Sequence, residues 1–500
     1  MKKIIKKVLL YIVLLISSIL IFSPLWIREI FGDVTLDEII FHLMVPLEGS
    51  DVTSYVIDGI KCILLPSLAV SAIMYVILQF KYKYMLKLEI KIRNKQFTIA
   101  PPRCIRLIIY ILFFIFSLMF CLIKLDIIEY ARANLSSSTF IEDNYVDPKD
   151  VDIKFPENKR NLIYIIMESM ESSYASSNVG GILDKNLIPN LTNIANENTS
   201  FSNTQSFGGA RVNVGATWTI AAMVSHFSGV PLKISIEGST YGKYKTFLPG
   251  ITNLGDILQK EGYNQLFVLG SDIKFGGRDK YMKQHGNYDI FDYNYAVEND
   301  YYNEDFVWWG YDDEHLYEYA KEQLISLAGK EEPFNITLLT VDTHFEDGYL
   351  SEGCTDLKYQ DKYSNAISCA DNMIFEFIEW IKQQDFYENT TIVIVGDHLT
   401  MDVDFFENYK ESEKDRRVYN AYINSTVQTD NIKNREFSTM DLFPTTLASL
   451  GVSIEGDRLG LGTNLFSDSK TLAEKYGFEY VNDELSKKSK FYNNKFLFNK

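Results

Sequence analysis

Long apolar segments and short apolar runs divide the chain into two regions. The first region holds three segments with few charges, each about as long as the roughly 20 residues that a helix needs to cross a bilayer. These segments are residues 8–27, 56–80 and 107–126. Four lysines precede the first segment and no small-residue cleavage site follows it, which favours a retained helix over a removed signal peptide. We therefore predict a membrane domain at residues 1–130 with about three transmembrane helices.

The charges around these segments predict their orientation. Between the second and third segments lie eight lysine and arginine residues and one acidic residue, Glu89. By the positive-inside rule this basic stretch and the N-terminus are cytoplasmic, and everything after about residue 127 lies on the outer face. The pattern predicts a multi-pass protein of the plasma (inner) membrane, with its large polar region on the periplasmic or extracellular side.

Short apolar runs recur after a polar linker at residues 131–159, and four of them are typical of buried strands. They are residues 161–167, 265–269, 336–341 and 391–395. Apolar residues at helical spacing lie between them, at 253–261 and 365–384. Strands that alternate with helices predict an α/β domain at residues 160–468 with a mostly parallel central sheet flanked by helices. Residues 469–500 follow as a C-terminal tail, and its Lys/Asn-rich part from about Ser486 predicts a poorly ordered terminus.

Polar side chains follow each of the four predicted strands. In chain order they are Glu168, then Ser271 and Asp272, then Asp342 and His344, then Asp397 and His398. Ligands of parallel α/β sheets bind beyond the carboxyl ends of the strands. The sequence therefore predicts a functional site at this edge of the sheet.

Net charge and cysteine usage narrow the function further. The formal net charge is −17, which argues against a nucleic-acid partner because such partners need a basic surface. The chain has five cysteines, of which Cys354 and Cys369 share the predicted outer compartment. A disulfide could persist there, and two free thiols are the alternative that the sequence leaves open.

Glu168, Asp397 and His398 form a set of oxygen and nitrogen donors suited to one divalent cation. Mn²⁺ or Zn²⁺ is such a cation, and Mg²⁺ is also possible. The absence of cysteine from the set argues against a structural zinc site. For Asp397 and His398 alone, a turn with a capping aspartate is the competing interpretation. The glutamate on a different strand favours the metal.

Two hydroxyl groups are candidate nucleophiles beside this metal set. Thr217 and Thr219 lie in a Gly/Ala/Thr stretch at 215–222, just before an apolar helix-like run. A hydroxyl at a helix start often acts only as a cap. A metal can lower the pKa of such a hydroxyl, and a helix N-terminus also favours the anion of a phosphoryl group. These observations leave both threonines open.

The segment 161–468 resembles the sulfatase-type catalytic domain of the phosphoglycerol transferase I and lipoteichoic acid synthase family, in the alkaline phosphatase superfamily. Its first block, NLIYIIMES at 161–169, resembles the strand with the family's metal-binding glutamate, here Glu168. The block TWTIAAMVSHFSGVPL at 217–232 resembles the nucleophile helix. In the family the catalytic hydroxyl stands ten positions before the glycine of a Gly-hydrophobic-Pro turn. Counting back from Gly229 selects Thr219 as catalytic residue and fourth metal ligand.

Further blocks imply the metal ligands and substrate contacts. VGDH at 395–398 resembles the block with the remaining metal ligands. GSDIKFGGRDKYMKQHG at 270–286 and TVDTH at 340–344 resemble substrate-contacting loops. The residues implied to bind substrate are Arg278, His344, Asp272 and His285. His285 could equally be a structural loop residue, and Gly276 stands where lipoteichoic acid synthases have a tryptophan, so headgroup contacts there are expected to differ.

The resemblance implies an activity, a cofactor and partners. It implies a membrane-bound phosphotransferase that moves sn-glycerol 1-phosphate from phosphatidylglycerol to a cell-envelope glycan, such as a periplasmic glucan, or to a glycerol-phosphate polymer. A glycerophospho-threonine intermediate and one divalent metal ion, Mn²⁺ first, are part of that implication. A phosphoethanolamine transferase or a phosphodiesterase of the same superfamily is the alternative. A true sulfatase is disfavoured because the segment Thr219-Ile-Ala-Ala-Met lacks the Cys/Ser-x-Pro-x-Arg motif.

Overall fold

The computed structural model describes most of the chain and divides it into two compact units. The described residues are 2–32, 34–45, 52–79, 88–92, 95–99, 105–234, 246–304, 306–402 and 404–499. Much of the basic stretch that predicts orientation lies outside these residues, as does position 80 of the second apolar segment. The first unit comprises Met1–Leu36 with Asp51–Ala131, and the second comprises Asp37–Ser50 with Arg132–Lys500.

The helices are numbered in chain order. They are α1 (Lys2–Phe31), α2 (Leu36–Met44), α3 (Val52–Gly59), α4 (Leu65–Gln79), α5 (Ile105–Lys124), α6 (Ile127–Leu135), α7 (Phe140–Asn144), α8 (Pro189–Glu197), α9 (Thr219–Ser228), α10 (Leu254–Lys260), α11 (Arg278–Gln284), α12 (Tyr293–Glu298), α13 (Asp313–Ala328), α14 (Lys362–Ile381), α15 (Leu442–Ser449), α16 (Leu472–Tyr476) and α17 (Phe478–Ser486).

The strands are numbered in the same way. They are β1 (Leu88–Ile92), β2 (Lys95–Ile99), β3 (Ile153–Lys154), β4 (Asn161–Met167), β5 (Asn264–Leu269), β6 (Asp289–Phe291), β7 (Phe334–Leu339), β8 (Thr390–Gly396), β9 (Asn420–Ile423), β10 (Ser453–Ile454), β11 (Arg458–Leu459) and β12 (Gly462–Thr463).

Three apolar helical stretches dominate the first unit. Ile4–Phe31, Tyr55–Leu78 and Leu107–Lys124 are each long and apolar enough to cross a membrane. Helix α1 packs against α4 and α5, and the contact is made by the buried side chains of Leu14, Leu78 and Tyr110. Most other apolar side chains of these helices face outward, which is the pattern expected of helices surrounded by lipid.

A six-stranded sheet forms the centre of the second unit. Its strand order is β6-β5-β7-β4-β8-β9, and every pair is parallel except β8 with β9. Strands β4, β7 and β8 are buried along their whole length, because helices cover both faces of a parallel sheet. The α/β prediction with a mostly parallel central sheet is confirmed.

The predicted strands coincide with β4, β5, β7 and β8, with small shifts at the ends. The largest shift is at β7, which ends at Leu339 rather than at residue 341. The backbone amides of Val341 and Asp342 donate to the Asp313 carboxylate at the start of α13. The chain therefore leaves the sheet before the apolar run ends.

Segments predicted to be a linker and a loose tail instead pack on the second unit. In the linker, the last residues of α6 and all of α7 are helical, and β3 pairs with β10. At the C-terminus, a short π-helical segment buries Tyr492, Phe496 and Leu497. The Tyr492 hydroxyl donates to Pro231 O at 2.9 Å. The prediction of a poorly ordered tail is therefore corrected. The tail packs because aromatic residues lie among its many polar residues, and these aromatic residues are buried.

Helix α2 lies between the first two apolar stretches of the chain, and all but its first residue belong to the second unit. Phe41 is fully buried and its ring contacts Trp218 and Phe247. The His42 ring stacks on Phe275 with centroids 5.5 Å apart. This contact makes His42 a packing residue of the second unit.

Cys354 and Cys369 form a disulfide that joins a loop to α14. The two residues are 15 positions apart in sequence. The sequence left open whether Cys354 and Cys369 form a disulfide or remain free thiols, and the structure shows the disulfide.

Candidate metal centre and active site

Three side chains converge at the carboxyl ends of the adjacent strands β4 and β8. Glu168 follows β4, and Asp397 and His398 follow β8. Their donor atoms all lie within 4.8 Å of one another, and all three residues are buried. His398 Nε2 lies 3.5 Å from Glu168 Oε1 and 3.4 Å from Asp397 Oδ2. The structure thus brings together the metal set predicted from the sequence.

Hydrogen bonds hold these donors in an orientation that suits a cation. His398 Nδ1 is 2.9 Å from Leu399 O, so Nδ1 carries the proton and Nε2 is available as a ligand. Asp397 Oδ1 accepts from the backbone amides of Ser169 and His398, each at 2.7 Å. The other oxygen, Asp397 Oδ2, is buried and has no hydrogen-bond partner. A buried carboxylate oxygen without a donor fits a divalent cation.

The ionisation of the three residues shows a local excess of negative charge. Burial raises the pKa of Asp397, and the neighbouring Glu168 carboxylate raises it further. Burial lowers the pKa of the His398 imidazole, but Asp397 and Glu168 outweigh this effect and leave that pKa raised. Burial likewise opposes the ionisation of Glu168, yet His398 and His344 leave its pKa lowered. Positive charge is therefore favoured between the two carboxylates.

Thr219 is the first residue of α9 and faces this cluster. Its hydroxyl Oγ donates to Glu168 Oε2 at 3.3 Å. The preceding residue, Trp218, is extended and forms the N-cap, and Gly229 closes the helix in the left-handed region with φ of 63°. The Thr217 hydroxyl is buried without a hydrogen-bond partner. Of the two candidate hydroxyls, Thr219 is the one bonded to Glu168.

Arg278 is buried near the cluster and held rigidly by its own loop. Its Nη2 donates to Ser271 Oγ and Asp272 O, at 3.0 and 2.8 Å, and its Nε donates to Phe275 O at 3.0 Å. Burial lowers the pKa of the guanidinium to about 10, which keeps it charged at neutral pH. The Asp272 carboxylate accepts from Lys274 N and so shapes the loop.

Gly276 is in the left-handed region with φ of 68°. A tryptophan here, as in lipoteichoic acid synthases, would be strained. Its neighbour Phe275 instead supplies an aromatic ring beside Arg278, 5.6 Å from the guanidinium carbon.

His344 follows β7 and is oriented by a backbone carbonyl. Its Nδ1 lies 2.5 Å from Phe345 O, so Nδ1 carries the proton and the neutral ring offers Nε2 as an acceptor. Burial lowers the pKa of His344, which favours that neutral ring. Its ring contacts Trp309 with centroids 4.9 Å apart. The Asp313 carboxylate holds the same loop through Val341 N and Asp342 N.

His285 is engaged by residues outside the cluster. Its Nδ1 lies 2.9 Å from Asp256 Oδ2, and its Nε2 lies 2.9 Å from Phe247 O. In the described part of the chain these bonds use both ring nitrogens, which matches the structural alternative left open for this residue. Arg211 likewise pairs with Glu479 and Glu436 rather than with a cluster residue.

Three hydroxyl residues that support Glu168 were not predicted from the sequence. Ser169 Oγ donates to Glu168 Oε1 at 2.8 Å. Thr340 Oγ accepts from Glu168 N at 2.9 Å, and Thr343 Oγ donates to Glu168 O. Thr340 and Thr343 lie in the TVDTH block, but only the strand order shows that this block stands beside Glu168.

The fold and the site define the chain as an α/β protein with a candidate metal centre at the carboxyl ends of its parallel strands. The fold is similar to that of a protein in the alkaline phosphatase superfamily from Vibrio parahaemolyticus, with a TM-score of 0.50, 21% identity, and coverage of 66% of this chain and 76% of that one. It is also similar to the integral membrane lipooligosaccharide phosphoethanolamine transferase A from Neisseria meningitidis, with a TM-score of 0.50, 16% identity, and coverage of 89% and 84%.

A family model identifies the family to which the chain belongs. The Sulfatase model matches residues 160–452, which is more than half of the chain. The chain therefore belongs to the sulfatase family.

Curated relatives carry one shared name. Phosphoglycerol transferase I from Escherichia coli is 32% identical over 325 residues, covering 62% of this chain and 40% of the relative. Phosphoglycerol transferase I from Citrobacter koseri is 27% identical over 458 residues, covering 87% of this chain and 53% of the relative. The chain thus matches about half of the length of these relatives.

Proposed function

We propose that the chain is a membrane-bound phosphoglycerol transferase. It moves sn-glycerol 1-phosphate from phosphatidylglycerol to a cell-envelope glycan or a glycerol-phosphate acceptor, through a covalent glycerophospho-threonine at Thr219. The observation that carries this proposal is the hydrogen bond between Thr219 Oγ and Glu168 within a buried, electron-rich donor cluster. The name shared by the curated relatives supports the choice of donor.

The proposed metal ligands are Glu168, Asp397, His398 and Thr219 Oγ. A divalent cation held there, Mn²⁺ in our proposal and Zn²⁺ or Mg²⁺ as alternatives, would lower the pKa of the threonine hydroxyl and offset negative charge on the phosphate. Glu168 orients the hydroxyl by accepting its proton in a hydrogen bond. Because Thr219 is the first residue of α9, the helix N-terminus also faces the phosphate that the oxygen attacks.

Arg278 and His344 are the proposed contacts to the reacting phosphate and acceptor. The Arg278 guanidinium is buried and pre-positioned by three hydrogen bonds to its own loop. It stabilises the negative charge of the nonbridging oxygens without reorganising. The neutral His344 ring offers Nε2 to the incoming hydroxyl group.

The reaction proceeds as two balanced displacements. In the first, Thr219 Oγ bonds to phosphorus while the bond from phosphorus to the diacylglycerol oxygen breaks. The proton of the threonine hydroxyl ends on that oxygen, and diacylglycerol is released into the membrane as an alcohol. In the second, an acceptor hydroxyl oxygen bonds to phosphorus while the bond from phosphorus to Thr219 Oγ breaks. The acceptor proton passes to His344 Nε2 and then to the departing Thr219 oxygen. Three helices that can cross a membrane keep the site close to its lipid donor and raise the effective donor concentration.

Intact-protein mass spectrometry of the full chain tests this proposal. The protein is incubated with Mn²⁺ and phosphatidylglycerol, and Thr219→Ala is compared with the wild type. Thr217→Ala is the matched control, because its hydroxyl lies two residues away and makes no bond to Glu168. We expect a mass increase of one glycerophosphate on the wild type and on Thr217→Ala, and none on Thr219→Ala.

The other outcomes assign the alternatives. An adduct formed only with phosphatidylethanolamine would move the chain to the phosphoethanolamine transferases. Release of diacylglycerol without any adduct would indicate a phosphodiesterase that uses water as the acceptor. An adduct that persists in Thr219→Ala would overturn the assignment of the nucleophile.

A further inference from the structure

Two adjacent tryptophans form the tip of a tight turn beside the candidate active site. Val307 N donates to Gly310 O at 2.9 Å, and Gly310 N donates to Val307 O at 2.7 Å. Trp308 and Trp309 are therefore the two central residues of the turn. Trp308 has φ of 55°, a conformation in which glycine or asparagine is the usual residue. A bulky residue held in this conformation is a strained feature of the kind that clusters at binding sites.

The two indole rings lie in different surroundings, one against the active site and one toward solvent. Trp309 is half-buried and contacts the His344 and Phe275 rings, with centroids 4.9 and 5.3 Å away. Trp308 is 37% exposed. Its ring stacks beside Tyr349 at 6.5 Å with an interplanar angle of 25°. The turn thus connects a residue of the active-site wall directly to an outward-facing aromatic surface.

We name this outward-facing surface the aromatic platform, defined by Trp308, Tyr349 and Lys362. The Lys362 ammonium group lies 5.7 Å from the centroid of the Trp308 ring. Flat, amphipathic rings pair with surfaces that are apolar on a face and polar at the edge. A pyranose ring has this character, since its C–H groups form a face and its hydroxyls project from the rim. The lysine donors can reach those hydroxyls.

Charges around the platform distinguish an uncharged sugar from a phosphate polymer. Besides burial, the carboxylates of Asp312, Glu352 and Glu304 act on the Tyr349 hydroxyl and raise its pKa. A polyanionic glycerol-phosphate chain would be repelled by these carboxylates, whereas a neutral glycan would not. The polar surroundings also disfavour a lipid chain as the occupant.

We propose that the aromatic platform binds a pyranose ring of a neutral glycan acceptor and directs a hydroxyl of that glycan toward the glycerophospho-threonine. This inference rests on the proposed function, and it chooses the glycan over the glycerol-phosphate polymer as acceptor. The transfer forms the bond from the sugar oxygen to phosphorus and breaks the bond from Thr219 Oγ to phosphorus. The sugar proton ends on the threonine oxygen, so no further reactant is needed.

Direct binding of linear glucose hexasaccharides, with α or β linkages, tests the platform. The full chain is reconstituted in nanodiscs rather than in maltoside detergent, because a sugar detergent would compete. We expect at least one hexasaccharide to bind the wild type, Trp308→Ala to bind it about tenfold more weakly, and Trp308→Tyr to stay within about threefold. Tyr480→Ala is the matched control. Tyr480 is 52% exposed, and its ring contacts Phe140 and Tyr476.

The donor half-reaction separates failure of the platform from failure of the proposed function. With phosphatidylglycerol alone, Trp308→Ala should form the Thr219 adduct as fast as the wild type. The hexasaccharide should then accelerate loss of the adduct in the wild type and in Trp308→Tyr, but not in Trp308→Ala. A wild type that forms no adduct but binds sugar through Trp308 would refute the proposed function and keep the platform.

Three results would overturn the platform. The first is that none of the hexasaccharides binds the wild type while a glycerol-phosphate oligomer does. The second is equal sugar affinity in Trp308→Ala and the wild type. The third is slowed adduct formation in Trp308→Ala at an unchanged thermal midpoint, which would place the turn in the donor site.

Discussion

Ser169 links two of the proposed metal ligands although it is not a ligand itself. Its hydroxyl donates to Glu168 and its backbone amide donates to Asp397. It has φ of 50°, in the left-handed region, and this conformation lets one residue reach both carboxylates. Residues that orient metal ligands are worth about 10- to 100-fold in metal affinity.

Removing the Ser169 hydroxyl should therefore weaken metal binding while leaving the amide contact to Asp397 in place. We expect Ser169→Ala to bind Mn²⁺ about 10- to 100-fold more weakly, measured by competition with a chelator. Ser225→Ala is the control, since Ser225 is also buried but its hydroxyl pairs with Thr439 on the far side of α9. Equal losses in both variants would show that the effect is general destabilisation.

Asp313 and Asp342 form a buried carboxyl pair beneath the loop of His344. Burial raises the pKa of Asp313 to about 7, and burial together with Asp313 raises the pKa of Asp342 well above its usual range. The folded state thus keeps a proton that the unfolded chain releases near pH 4. This contribution to stability is present below pH 4 and is lost as the pH rises toward about 7.

Replacing Asp342 with asparagine should reduce this pH dependence. In wild type, ionisation of the pair costs about 1.4 kcal/mol per proton for each pH unit crossed between about 4 and 7. We expect the drop in thermal midpoint from pH 5 to pH 8 to be smaller in Asp342→Asn than in wild type. The exposed residue Asp289, changed to asparagine, should leave the drop as in wild type. An unchanged drop in Asp342→Asn would contradict this prediction.

At the scale of elements, the disulfide between Cys354 and Cys369 restrains the loop before α14. The loop it closes is 15 residues long, and in the chain-entropy account such a crosslink stabilises by about 3 kcal/mol. We expect a variant with serine at both positions to unfold at a lower temperature, and the wild type to match it when dithiothreitol is present. Formation of the Thr219 adduct should remain, because neither cysteine belongs to the metal cluster.

The strands of the central sheet were largely predictable from the sequence, and the distant residues that they contact were not. The apolar runs of β4, β5, β7 and β8 reveal buried strands because both faces of a covered parallel sheet exclude polar residues. The end of β7 was misplaced because the Asp313 side chain, far away in sequence, captures the next two amides. The local sequence pattern cannot show that a distant side chain will accept hydrogen bonds from these two amides.

At the scale of the whole molecule, the three apolar helices and the charge pattern predict a fixed orientation. We expect residue 177 to lie outside the cytoplasm and residue 83 to lie inside. In a variant whose Cys62, Cys104 and Cys121 are serine, a membrane-impermeant maleimide applied to intact spheroplasts should label Ser177→Cys. It should label Lys83→Cys only after lysis. The reverse labelling would invert the predicted topology.

The sequence by itself determined the classes of element and the chemistry that follows them. Apolar spacing, strand-like runs and the polar residues after each run are local properties, and burial in lipid or in a sheet imposes them directly. The motif resemblance added Thr219 and its neighbours to this picture. These predictions needed only residues that are near one another in the chain.

Only the tertiary structure decided which of these pieces meet. The strand order places Glu168 beside Asp397 and His398, the start of α9 brings the Thr219 hydroxyl to Glu168, and the polar C-terminus packs through Tyr492 and Phe496. It also joins Trp308 to Tyr349 beside the site. Each of these contacts joins residues far apart in sequence, and such contacts form only when the whole chain buries its apolar surface together.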